Sequence, residues 1–343
     1  MKPMKLRRHS IIPAIRQYII PKQLVFLRFC LVCKALILPI ILSAALLSGC
    51  GDKPSYGSAA PHAPALIFTD AQASNAFALV TALVKDCTPR DAGTPGAERA
   101  AQWIAERLKG RGLAVEIDTF TDPTPRGSKQ FHNVLATIPG NSGEWVILLS
   151  HFDTMSGIGG GFQGANDSGS STGLLIEMAT TLQAAGSHRH NILCGFMDGE
   201  ECMLAYSKRD GFHGSKRLAR QQKEAGSKIH AVILMDMVGD RDLRLTAPRN
   251  STAALRLLML EVAEATGDRD KVGLFDGIIY DDHQAFLELG YPAVNLIDFE
   301  FGSCTGKNDF WHTPADTLDK ICADSLLVTG RIVMEMLNRL MSD

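Results

Sequence analysis

The run Asn191-Ile-Leu-Cys-Gly-Phe-Met197 is apolar beyond its first residue and ends abruptly in Asp198-Gly-Glu200-Glu201. Its length and content predict a strand buried on both faces, the kind found in parallel sheets covered by helices on each side. Carboxylates at the mouth of such a strand sit where open α/β sheets place their ligands. Adjacent glutamates repel each other, and metal chemistry gives a reason to keep both, one for the ion and one for a proton. A solvated acidic turn is the plain alternative, so the rest of the chain has to decide.

Several other segments repeat the pattern. Glu144–Ser150, Ala231–Met235 and Tyr291–Phe299 read as further strands, and Leu113–Phe120 with Phe131–Ile138 as a hairpin. Helical periodicity covers Ala71–Asp86 and Ala97–Lys109, the latter with Thr94 as N-cap and Pro95 at the first position. A helix of about 16 residues is expected after Asp167, ending near Gly186. Further helices are expected from Gly214-Ser215, over Arg249–Thr266 with Gly267 as C-cap, up to Leu289 after Asp281-Asp282-His283, and over Leu318–Leu340. Strands separated by helices predict one three-layer α/β/α domain, a mixed, mostly parallel twisted sheet flanked by helices, over 71–343.

The first 49 residues differ from the rest. They carry eight Lys or Arg and no Asp or Glu, then the uncharged apolar run Ala35–Leu47. This matches a secretory signal, and the run is short for a membrane span. Leu47-Ser-Gly-Cys50 resembles a bacterial lipobox, with Cys50 the lipidated residue. Gly51 follows in place of an inner-membrane retention aspartate, so the expectation is a lipid-anchored protein facing the periplasm, at the outer membrane. Asp52–Pro64, rich in Gly, Ser, Ala and Pro, reads as a tether, and residues 50–70 as anchor and linker. Beyond residue 49 there remain 27 basic and 37 acidic side chains, a formal charge of −10. With no basic stripe, nucleic acid is not an expected partner, and a monomer is expected. Cys87, Cys194, Cys202, Cys304 and Cys322 show no Cys-x-x-Cys spacing and number five, so they do not all pair with one another.

The candidate site residues fall at strand ends and in loops. His151 and Asp153 follow a strand, close enough for the carboxylate to orient the imidazole as a second-shell partner. Asp167 follows a glycine-rich loop and is expected to open a helix, where backbone N–H groups favour a carboxylate. Asp236 ends a strand, and His312 lies in Phe310-Trp-His-Thr313. Each alone has an ordinary reading as a cap, a turn residue or a core histidine. Together they place a His, Asp or Glu at the end of four apolar strands, and His and carboxylate donors suit zinc. His132, His188, His190, His213 and His230 lack such company and are expected to be surface or structural.

In order, His151-x-Asp153, Gly164-Ala-Asn-Asp167, Glu200-Glu201, Asp236 and His312 resemble the ligand and base set of the M28 family of zinc peptidases over roughly Ala71–Met341. Typical aminopeptidases of that family hold two zincs bridged by the residue matching Asp167, with His151 and Asp236 then serving as second-metal ligands. Here twelve residues separate Glu201 from Gly214-Ser215, and that spacing is similar to animal-type glutaminyl cyclases. So are Asp236-Met-Val-Gly239, Asp281-Asp282-His283-x-x-Phe286-Leu287 and Trp311-His-Thr313. Tyr206 stands where those enzymes usually carry tryptophan, and their cysteine pair near the zinc is absent.

The cyclase resemblance implies one zinc, held by Asp167, Glu201 and His312. It also implies Glu200 as general acid-base, with Asp236 and Asp282 in a proton-sharing network and no second ion at His151. Tyr206 and Trp311 would wall a small substrate pocket, and Glu201 and Asp236 would raise the pKa of Glu200. The expected activity is cyclisation of N-terminal glutamine on peptides or proteins. A two-zinc aminopeptidase and a non-enzymatic binding module are the competing readings.

Overall fold

The computed structural model describes residues 65–159 and 161–342. The expected signal, the expected lipidation site Cys50 and the expected tether over 52–64 lie outside the described residues. The chain opens with α1 (Asp70–Cys87) and α2 (Pro95–Lys109), then forms β1 (Ala114–Thr124), β2 (Gly127–Ile138) and β3 (Trp145–His151). It continues through α3 (Ser171–Ala185), β4 (Asn191–Met197), α4 (His213–Glu224), β5 (Ile229–Asp236) and β6 (Leu245–Pro248). The last elements are α5 (Ala253–Thr266), β7 (Val272–Phe275), α6 (His283–Leu287), β8 (Ala293–Ile297) and α7 (Ala323–Ser342).

The strands form one mixed sheet in the order β1-β2-β4-β3-β5-β8-β6-β7. Its centre, β4-β3-β5-β8, is parallel, while β1-β2, β2-β4 and β8-β6 are antiparallel. Side-chain alternation along β3 shows the three layers directly. Val146 and Leu148 join the cluster made with α1, α2, α3, α5 and α7. Ile147 and Leu149 point the other way, to Leu218 of α4 and Phe286 of α6. All four are 0% exposed, and sealing a side chain of this size contributes about 1.5–3 kcal/mol. Two-sided burial explains why these strands are apolar throughout instead of alternating.

Local signals set the element ends. Thr94 Oγ1 accepts the Gly96 N–H at 3.2 Å with Pro95 at the first helical position, and Gly267 closes α5 with φ 78°. Other bounds moved. The hairpin strands extend to the Thr124–Gly127 turn, the strand expected over Tyr291–Phe299 narrows to β8, and α5 starts at Ala253, not Arg249. α6 stops at Leu287, and α7 starts at Ala323 because Leu318–Lys320 form a separate 3₁₀ turn. The strands β6 and β7 had no sequence signal: each is four residues long, and β6 ends in a proline.

In-register pairing brings the carboxyl ends of the parallel strands to one edge. His151 lies opposite Met197, and Asp236 opposite Ile297. The segments after these strands therefore share a rim, and the candidate residues lie there.

Candidate metal centre and active-site cavity

Asp167 occupies the middle of the rim. The regular helix α3 starts only at Ser171; Asp167 itself has φ −103°, ψ 96° inside an irregular turn, Ala165–Ser170. The expected helix-opening aspartate is thus corrected: its carboxylate is not stabilised by a helix N-terminus. What holds it is Asp316, whose two carboxylate oxygens accept the Asn166 and Asp167 N–H groups at 2.8 and 3.1 Å. Below that turn, Arg90 is fully buried and donates to the Phe152, Gln163 and Gly164 carbonyls at 2.6, 2.7 and 2.6 Å. The turn also needs Gly164. With φ 52°, a Cβ there would meet Thr154 Cγ2 at 2.5 Å and the Asp167 carbonyl at 2.6 Å.

Asp167 joins two sets of donors. Its Oδ2 lies 3.2 Å from His312 Nε2, which is 2.9 Å from Glu201 Oε1. Its Oδ1 lies 3.2 Å from His151 Nε2, which is 3.3 Å from Asp236 Oδ1. In each triad the donor atoms fall within 4.8 Å of one another. The nitrogen and oxygen donor set, buried and convergent, fits zinc. His312 has φ 53° and Met237, next to Asp236, has φ 50°. Non-glycine residues in the left-handed region cost free energy and cluster at functional sites.

Charge crowding perturbs most of these groups. Burial alone would depress both histidines, but the carboxylates of Asp153, Asp167 and Asp236 hold His151 well above its usual range. Asp167 and Glu201 push His312 up to about 10. A site where two imidazoles hold protons against three or four carboxylates is one that a divalent cation could occupy in their place.

Glu200 and Glu201 follow β4 as expected, and Asp153 holds them there. Its Oδ1 and Oδ2 accept the Glu200 and Glu201 N–H groups at 3.2 and 3.1 Å. The expected Asp153–His151 pairing is weaker than foreseen: the closest approach, to Nδ1, is 3.7 Å, and Nδ1 has no hydrogen-bond partner. Glu200 is held well above the usual carboxylate range, first by burial and then by Glu201, Asp281 and Asp282, with His151 opposing. Asp236 is not among the main causes, so the expected source of the shift is only half right. Asp282 is sealed at 0% exposure, raised by burial to about 7, and neither carboxylate oxygen has a hydrogen-bond partner. Its neighbour Asp281, not Asp282, lines the cavity. Asp281 accepts from Asn295 Nδ2 at 2.7 Å.

Above the carboxylates lies a cavity of about 240 Å³ lined by Asp167, Glu200, Glu201, Tyr206, Asp236, Asp281, Trp311 and His312 with apolar neighbours including Phe275 and Ile279. Trp311 stacks on His312 at 4.0 Å between centroids and meets Phe299 edge-on at 5.2 Å. The Tyr206 hydroxyl donates to Glu201 Oε2 at 2.9 Å and approaches Glu200 Oε2 at 3.4 Å. The residue is 43% exposed, while its hydroxyl points inward onto the two carboxylates. The segment over 202–213 places it. The Asp210 carboxylate accepts the N–H groups of Met203, Leu204 and Ala205 at 2.6, 2.9 and 3.0 Å, folding the segment back. The Phe212 N–H then returns to the Glu200 carbonyl at 3.0 Å. Gly211, φ 87°, leaves room for the tyrosine, since a Cβ would meet its ring at 2.6 Å. Of the site residues named from sequence, Asp167, Glu200, Glu201, Tyr206, Asp236, Trp311 and His312 line the cavity, while His151, Asp153 and Asp282 do not. Arg90 and Asp316 were missed, since an isolated arginine before a turn and an aspartate four residues past His312 carry no motif. Asp281 stood in a marked segment, but the role was assigned to its neighbour Asp282.

Of the other histidines, His132, His188, His190 and His213 are buried. His213 pairs with Asp122 at 2.7 Å and stacks on Phe131, which is structural as expected. Among the described residues, Cys87, Cys194, Cys202, Cys304 and Cys322 are free thiols. Among the described residues no helix is long and apolar enough to cross a membrane.

The sequence pattern of Peptidase family M28 matches residues 133–337. The crystal structure of an Acidobacteriales bacterium glutaminyl cyclase superposes with a TM-score of 0.76 at 32% identity, covering 84% of this chain and 99% of that one. Porphyromonas gingivalis glutaminyl cyclase gives a TM-score of 0.71 at 26% identity, covering 79% and 98%. The glutaminyl-peptide cyclotransferase of Drosophila melanogaster is 27% identical over 76% of this chain and 80% of its own length.

Proposed function

This chain belongs to peptidase family M28, and within that family we propose that it is a zinc-dependent glutaminyl-peptide cyclotransferase, closing N-terminal glutamine to pyroglutamate with release of ammonia. The observation that carries the reading is the segment over 202–213, which folds Tyr206 onto both glutamates and narrows the rim into a small pocket. The likeness to glutaminyl cyclases supports it.

Asp167, Glu201 and His312 would hold the zinc, which when bound would polarise the γ-carbonyl of the glutamine and stabilise negative charge developing on its oxygen. The α-amine attacks the γ-carbonyl carbon of the same residue, so a C–N bond forms as the γ-amide C–N bond breaks. Because the reaction is intramolecular, the cavity's work is to fold the side chain toward its own amine, and Trp311 and Tyr206 form the walls that do so. Glu200 takes the proton the amine loses and returns it to the departing nitrogen, which leaves as ammonia. Burial beside Glu201, Asp281 and Asp282 raises its proton affinity, as both halves of that cycle require. Asp236 and Asp282 belong to the same charge network, and Asp153 fixes the backbone that aims both glutamates.

The second triad, His151, Asp167 and Asp236, favours the competing reading, a two-zinc aminopeptidase. Incubation with Gln-initiated and Leu-initiated peptides separates the two by mass. Loss of one ammonia from the Gln peptide, with the Leu peptide intact, is expected. Release of the first residue, with two zincs tightly bound per chain, would overturn the proposal. A binding protein would do neither. The natural substrates on this reading are peptide or protein N-termini. The anchor is Cys50, facing the periplasm at the outer membrane, and mass spectrometry of the mature N-terminus tests that assignment.

A further inference from the structure

The opposite rim of the sheet carries a second constellation of metal-ligand type. Glu144 immediately precedes β3, His190 immediately precedes β4, and His230 is the second residue of β5. Because β3 lies between β4 and β5, the three side chains start from adjacent parallel strands at their amino ends. One donor atom from each lies within 4.8 Å of the other two. The two imidazoles stack at 4.9 Å, and Glu144 Oε2 is 3.7 Å from His190 Nδ1.

Backbone hydrogen bonds tie the three positions together before any ion arrives. The Asn191 N–H donates to the Glu144 carbonyl at 2.8 Å, and the Trp145 N–H to the Lys228 carbonyl at 2.9 Å. The preceding loop is pinned by the Asn141 and Ser142 N–H groups on the Arg189 carbonyl at 2.9 and 2.8 Å. A site on strand ends held in this way needs little ordering to bind.

The protein's own contacts leave His190 incompletely satisfied. His190 is 2% exposed; Ser142 Oγ is 2.7 Å from Nδ1, but Nε2 is buried without a partner at hydrogen-bond geometry, the Leu340 carbonyl lying beside the ring. Burial, then His230 and Arg189, hold the His190 pKa below its usual value, with Glu144 opposing. A neutral imidazole offers a lone pair, the form that binds metal, and burial of His190 favours that form.

We propose that Glu144, His190 and His230 form a second metal site, for a late first-row divalent cation such as zinc or nickel, across the amino ends of β3, β4 and β5. Two imidazoles and one carboxylate match the preference of these ions, and a water completes four-coordination. The role is structural: the ion clamps three central strands at the end remote from the cavity.

The test uses tag-free protein with its catalytic site already zinc-loaded, titrated with Ni²⁺ by calorimetry. One additional Ni²⁺ per chain is expected. His230→Ala and Glu144→Gln should each weaken it at least tenfold, leaving kcat/KM unchanged and the melting temperature without added nickel within about 2 °C of the parent. Asp167→Asn, which disables the catalytic centre, should leave the nickel stoichiometry intact, so failure here is independent of the cyclase reading. Nickel binding that survives His230→Ala, or that disappears with Asp167→Asn, would overturn the proposal.

Discussion

Arg90 should be the most costly single side chain to remove outside the cavity. Its guanidinium is 0% exposed and has no carboxylate within salt-bridge distance; it spends its donors on three carbonyls from the two segments that carry Asp153 and Asp167. Arg90→Met fills similar volume but leaves the Phe152, Gln163 and Gly164 carbonyls without that donor. A hydrogen bond from a charged donor contributes about 1.5–3 kcal/mol, and each buried carbonyl left unpaired costs about 1–3 kcal/mol. These contributions are not additive, so a loss of roughly 3–5 kcal/mol is expected, a large part of the 5–15 kcal/mol typical of a domain. Denaturant unfolding of metal-free parent and variant reads that difference. Arg90→Lys keeps the charge but cannot span three carbonyls, and should fall between the two. Because Arg90 braces the turn before Asp167, zinc affinity should also fall by about 10–100-fold, the usual cost of losing support behind a ligand. If Arg90→Met unfolds within about 1 kcal/mol of the parent and holds zinc as tightly, the bracing argument fails.

Three further outcomes follow from the geometry. Glu200→Gln should lower kcat by about 10²–10⁴-fold while zinc stays bound, measured by turnover and metal content; full activity would remove Glu200 from proton transfer. Tyr206→Phe deletes the donor 2.9 Å from Glu201 and should cost about 3–20-fold in kcat/KM, with Tyr206→Trp restoring the wall but not the hydroxyl. The metal-free protein should lose stability as pH rises. Burial lifts Asp282 and Asp316 to about 7 and Asp298 to about 6 from 3.8. Between about pH 4 and 7 the folded chain therefore retains protons that the unfolded chain has released. Their contribution is complete below about pH 4 and is lost as pH climbs through 6 to 7, at most about 1.4 kcal/mol per unit for each group. Denaturation midpoints that rise between pH 5 and 8 would contradict this.

The central strands were legible because two-sided burial writes a continuous apolar run, and their shared polarity put His151, Glu200, Glu201 and Asp236 on one rim before any coordinates were needed. Asp167 shows where such reading stops. Its place in the chain suggested a helix opening, yet it stands in an irregular turn supported by Asp316, 149 residues away. Nothing local to either aspartate encodes that contact. β6 and β7 were hidden for the opposite reason, being too short to show a period at all. Asp281 and Asp282 form a third case. The sequence marks the pair but not which member faces the cavity, and a rotation of one residue at the start of α6 decides it.

The segment over 202–213 links the fold to the proposed choice of reaction. The ligand rim belongs to the β3–β5 frame of the sheet. The twelve residues between Glu201 and Gly214 would be slack if nothing ordered them. Asp210 orders them by accepting three consecutive N–H groups, and the returning Phe212 N–H locks the loop onto the Glu200 carbonyl. The result sets a phenol ring over the two glutamates, opposite the Trp311–His312 stack. A pocket bounded in that way suits a side chain folded on its own amine, for which positioning supplies most of the rate. Asp210→Ala therefore probes the link itself. It should leave zinc bound, since no ligand moves with it, while lowering cyclisation by releasing Tyr206. An unchanged kcat/KM in that variant would separate the segment from the chemistry.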